Sequence, residues 1–151
     1  MNASRAEVKR LDRIADIRET VATAAEARLR EAELQARDLE SQAEAIDRQI
    51  QLIRAEITQT TGLTGHATQQ NEKFILRLDK QRALVLQALE NAKKIVADRQ
   101  RQWMEARREQ RIIERLQDKR LLEWQRHQDA ARQKAADDNY IGKIAREKHS
   151  E

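Results

Sequence analysis

The 151 residues are 37% charged and only 3% aromatic, with no Pro, no Cys and three Gly. One Phe, one Tyr and two Trp are too few large side chains for a compact globular core. The lack of Cys excludes disulfides and thiol chemistry, and no apolar run is long enough to span a membrane. The net charge of +4 is uneven: residues 1–60 hold 10 basic and 12 acidic side chains, residues 61–151 hold 20 and 14. Opposite signs on the two halves favour their lying side by side, although exposed ion pairs are each worth only about 0–1 kcal/mol. The first residues lack the apolar core of a signal peptide, so a soluble, cytoplasmic protein is expected.

Ser4 and Glu7 have the S-x-x-E spacing of a capping box, which starts a first helix over residues 4–60. From Ala22 to Ile57 an apolar residue recurs at alternating steps of three and four: Ala22, Ala25, Leu29, Ala32, Ala36, Leu39, Ala43, Ile46, Ile50, Ile53, Ile57. The residues between are mostly Glu, Arg, Asp and Gln. A 3.5-residue repeat held this long specifies a helix with one narrow apolar seam, and such a seam must be buried against another helix. Backwards the repeat continues through Arg18, Ala15, Leu11 and Val8, while Ile14, Ile17 and Val21 form a stripe beside it that would widen the seam.

Residues 61–68 form the expected turn, since Gly62 and Gly65 can adopt the left-handed conformation that ends helices. Thr68 is the expected cap of a second helix over residues 69–136. Its seam runs through Val85, Leu89, Ala92, Val96, Trp103, Ala106 and Ile113, with Arg99, Gln110, Gln117 and Arg120 also on it. A second stripe of Phe74, Leu78, Ala88, Ile95 and Leu116 is expected alongside. Helices of this length would each extend on the order of 80–100 Å. The short turn favours a monomeric antiparallel hairpin over a parallel dimer. That fold-back sets Trp103 opposite the alanines near Arg28, and Trp124 opposite Glu7 and Val8. Gly142 is expected to break the helix and leave residues 137–151 as a frayed tail. The fold class is therefore all-α, one coiled-coil hairpin of two long helices.

Motifs of chemistry are missing. The sequence has no Gly-rich phosphate loop, no G-x-S-x-G and no metal-ligand spacing, and His66, His127 and His149 are far apart. Two slender helices enclose no pocket that would perturb a carboxylate, so no catalytic residue, cofactor or metal is expected. Between Lys93 and Arg120 ten basic residues meet five acids. The interleaving at helical spacings reads as a salt-bridged solvated face rather than a nucleic-acid surface. Near the turn Ile46, Ile50, Ile53, Phe74, Leu78 and Val85 offer more apolar surface than two helices bury, which marks either core or a partner site.

The run Glu109-Gln-Arg-Ile-Ile-Glu-Arg-Leu-Gln-Asp-Lys-Arg-Leu-Leu-Glu-Trp-Gln-Arg126, followed by the acidic pair Asp137-Asp138, resembles the FliJ family of flagellar type III export proteins. Its injectisome counterpart is the YscO family. The resemblance spans nearly the whole chain in layout. It departs from the usual pattern at Asp138, where Glu is common, and in its two Trp. It implies a non-enzymatic central stalk that enters and activates a hexameric export ATPase and contacts the export gate and export chaperones. The protein would then be cytoplasmic and peripheral to the export apparatus at the inner membrane. By that analogy the paired terminal segments face the ATPase ring, through Arg5, Lys9, Arg10, Arg13, Arg115, Lys119, Arg120 and Arg126. The turn-proximal set Ile46, Ile50, Ile53, Phe74, Leu78 and Val85 would face the gate or chaperones. The rival readings are an injectisome stalk and a coiled-coil scaffold without an ATPase partner.

Overall fold

The computed structural model describes residues 5–59 and 65–150. They form two helices, α1 (Arg5–Gln59) and α2 (Gly65–His149), packed as a helical hairpin with no strand among the described residues. The chain divides into two compact units, one of Met1–Thr23 with Glu105–Glu151 and one of Ala24–Met104. Each contains a stretch of α1 against a stretch of α2.

In the unit of Ala24–Met104, the alternating three-and-four spacing is the pattern of burial. On α1, Ala25, Leu29, Ala32, Ala43, Ile46 and Ile50 are buried, with Ala36, Leu39, Ile53 and Ile57 half-buried. On α2, Leu78, Leu89 and Ala92 are buried, and Val85, Val96, Arg99 and Trp103 are half-buried. The densest part is Ile46, Ile50 and Leu78, at 5–6% exposure, with Ile53, Ile75 and Val85 packed against it. Burying an aliphatic side chain of this size contributes about 1.5–3 kcal/mol. An ion pair from Asp47 Oδ1 to Arg82 Nε, 2.6 Å long, joins the helices beside this cluster. With Asp47 facing Arg82, Trp103 falls level with Glu26, among the alanines near Arg28 as the fold-back predicts.

In the unit containing both ends of the chain, Ala22 and Ala106 are buried and Val8, Leu11, Ala15, Ile113 and Trp124 are half-buried. Gln117 donates a hydrogen bond to Asp12, and Arg18 bridges to Glu109 at 2.6 Å. Both pairs are antiparallel. The seam stays narrow here: Ile17 and Val21 are 61% and 45% exposed, so the stripe beside it does not widen it. The second stripe expected on α2 is also largely unburied. Of its members Leu78 is on the seam itself, Ala88 is half-buried, and Phe74, Ile95 and Leu116 are exposed. Two helices in contact can cover one strip of each, and the 3.5-residue seam already fills it.

The limits of α2 differ from the expected 69–136. The helix begins at Gly65, so Thr68 is inside it rather than at its cap, and it runs through Gly142 and the expected tail to His149. A glycine inside a helix costs about 1 kcal/mol relative to Ala, which neighbouring helix formers offset in a chain with no Pro. Arg146, Lys148 and His149 complement the helix dipole in its last turn. The proposed capping Ser4, Gly62 and residues 61–64 of the turn lie outside the described residues.

Candidate functional surfaces

The residues expected to meet a ring are on the unit of Met1–Thr23 with Glu105–Glu151. Arg5, Lys9, Arg10 and Arg13 are exposed on α1, and Arg115, Lys119 and Arg126 are exposed on α2. Arg120 differs. It is half-buried on the seam, with Nη1 3.3 Å from Glu123 Oε2. At one end of this unit Arg5, Val8, Lys9, Leu121 and Trp124 line an open cleft of about 190 Å³. Val8 and Trp124 line it together and are half-buried, while Arg5, Lys9 and Leu121 are exposed.

The second set is in the unit of Ala24–Met104, where its members divide by burial. Ile46, Ile50 and Leu78 form the core cluster, with Ile53 and Val85 packed on it, so their side chains are engaged in joining the helices. Phe74 is 47% exposed and presents its ring outward. Farther along the same unit Arg28, Glu31, Ala32, Gln35, Ile95 and Arg99 line an open cleft of about 240 Å³. Its mouth carries charges of both signs and it encloses no group.

Several polar residues on the seam bond to neighbours. Arg99 Nη1 donates to Gln102 Oε1 and Arg107 Nη1 donates to Gln110 Oε1, each at 3.1 Å, leaving Gln110 buried at 8% exposure. Gln117 reaches Asp12 across the helix pair. Arg82 is a further seam cation, and sequence reasoning overlooked it because the apolar pattern on α2 was counted only from Val85. The signal was present, since Arg82 stands three residues before Val85. In the basic run, Arg101 pairs with Asp98 at 3.5 Å one turn away, and Glu109 is held by Arg18. Among the described residues no group of His, Asp and Glu converges as a metal site, and no helix is long and apolar enough to cross a membrane.

A family model described as "Flagellar FliJ protein" matches residues 7–148, nearly the whole chain. No curated protein and no solved structure matches.

Proposed function

The chain belongs to the FliJ family, structural components of the flagellar export apparatus, and on that premise we propose that it is the central stalk that enters and activates the hexameric export ATPase. It links that ring to the export gate and to export chaperones, in the cytoplasm beside the inner membrane. The observation that carries this reading is the cationic surface of the unit containing both chain ends. Arg10, Arg13, Arg115 and Lys119 are exposed there, and none is in an ion pair among the described residues. A slender helix pair with such a surface suits a pore lined by acidic loops, because exposed charges of opposite sign steer and hold partners without demanding one fixed geometry.

Arg5, Lys9 and Arg126 extend this surface. Arg120 supports it through Glu123 rather than by reaching a partner. The gate or chaperone contact belongs to Phe74, whose ring is outward, with Ile46, Ile50, Ile53, Leu78 and Val85 forming the core beneath it.

Binding to the ring tests the reading. The full chain should co-sediment with the assembled export ATPase of the same cell, weakly at high salt. Arg115→Glu with Lys119→Glu should abolish that association while Phe74→Ala leaves it intact. Association untouched by the charge reversal would contradict the proposed interface.

A further inference from the structure

On the unit of Met1–Thr23 with Glu105–Glu151, several aliphatic side chains are not used by the seam, and five of them are close together in the helix pair. Ile17, Val21, Ile112 and Leu116 are 61%, 45%, 53% and 37% exposed, and Ile14 is half-buried. Ile14, Ile17 and Val21 are spaced by three and four, so they make one stripe on α1; Ile112 and Leu116, four apart, make one on α2.

The two stripes are on the same side of the helix pair. Ile14 and Val21 immediately precede the seam residues Ala15 and Ala22, and Leu116 immediately precedes the seam residue Gln117. In an antiparallel pair these preceding positions on both helices flank the seam on one side. The Arg18–Glu109 bridge marks that side, since Glu109 precedes the seam residue Gln110 and is one turn from Ile112. The stripes therefore form the two banks of a groove.

The groove has a basic rim. Arg10 and Arg13 are one turn from Ile14 and Ile17. Arg108, Arg115 and Lys119 are within a turn of Ile112 or Leu116. All five are exposed, and none is in an ion pair among the described residues. The acids on that side are Glu7 and Glu123 beyond the stripes, Glu105, and Glu109 at the end of the α2 stripe; Glu109 is paired with Arg18 and Glu123 with Arg120.

We propose that this groove docks an amphipathic helix of a partner protein, one whose apolar stripe is flanked by Asp and Glu. Two parallel banks of aliphatic side chains accept a third helix as helix pairs do, by anchors at spacings of three, four and seven. Ile14 to Val21 spans about 10 Å at 1.5 Å per residue, two turns of a partner helix, with the rim engaging a further turn at each end. A second copy of this chain would set basic rim against basic rim, which costs free energy. Nucleic acid would find the cations but have no use for five aliphatic side chains between them. The inference does not depend on the stalk reading.

The test is selection on the full-length chain from a displayed library of four-turn helical peptides with a fixed leucine stripe and randomised flanks. Selected peptides should be enriched in Asp and Glu beside the stripe. Ile17→Ser with Ile112→Ser, both on the surface, should weaken their binding at least about tenfold with the helical circular dichroism unchanged. Arg13→Glu with Lys119→Glu, which leaves every apolar residue in place, should turn the preference to Lys- and Arg-flanked peptides. Unbiased flanks, or binding indifferent to both pairs of substitutions, would overturn the proposal. So would self-association, or binding to duplex DNA or anionic vesicles, that the serine substitutions abolish. Peptide selection by a chain that fails to bind the ATPase would leave this groove standing and remove only the stalk.

Discussion

Gln110 occupies a seam position that leucine would ordinarily fill, and its amide is anchored by Arg107 at 3.1 Å. A polar residue at such a position specifies register at a cost in stability. Gln110→Leu should therefore raise the thermal midpoint, by the equivalent of about 1 kcal/mol, a fraction of what burying a leucine contributes. The reverse holds at Ile50, the centre of the core cluster with 5% exposure. Ile50→Ala should destabilise by about 2 kcal/mol, the low end of the range for such truncations, because a two-helix core lets water reach part of the void. Chemical denaturation of the three proteins checks both signs. The Arg18–Glu109 bridge is the weaker device. Both side chains are over two-fifths exposed, so a double-mutant cycle should give a coupling of about 0–1 kcal/mol that falls with salt.

Among the elements, α1 was the more legible. Its seam from Ala22 to Ile57 is apolar at every stop, and the structure buries or half-buries each of them. On α2 the seam was also readable, including the polar intruders Arg99, Gln110, Gln117 and Arg120, because spacing rather than chemistry locates a seam. Two features were not readable. Gly142 suggested a break, yet α2 continues through it to His149, because a lone glycine costs a helix only about 1 kcal/mol. The widening at Ile14, Ile17 and Val21 was inferred from side-chain type, whereas burial depends on what faces a residue, and sequence spacing along one helix does not report that. Beyond Ala130 every described residue of α2 except Gly142 is exposed. Amides from Tyr140 to Arg146 should therefore exchange with solvent far faster than those around Leu89 and Ala92. Gly142→Ala should slow that exchange and raise helicity by the equivalent of about 1 kcal/mol. The added methyl group would meet only Arg146 Nη2, at 3.9 Å.

At the scale of the whole molecule, the division of labour follows from where apolar residues are spent. Around Ile46, Ile50 and Leu78 they join the helices. In the unit containing both chain ends the seam is thinner and more polar, and aliphatic and cationic side chains face outward. Membership of the FliJ family gives that outward surface its setting, an export apparatus, and the stalk reading gives it a ring to occupy. The most direct measurement is ATP hydrolysis by the host's export ATPase, at matched salt, with and without the full chain. The account predicts that the chain raises the rate and that Arg115→Glu with Lys119→Glu removes the effect. An unchanged rate, from a ring that also fails to bind the chain, would contradict it.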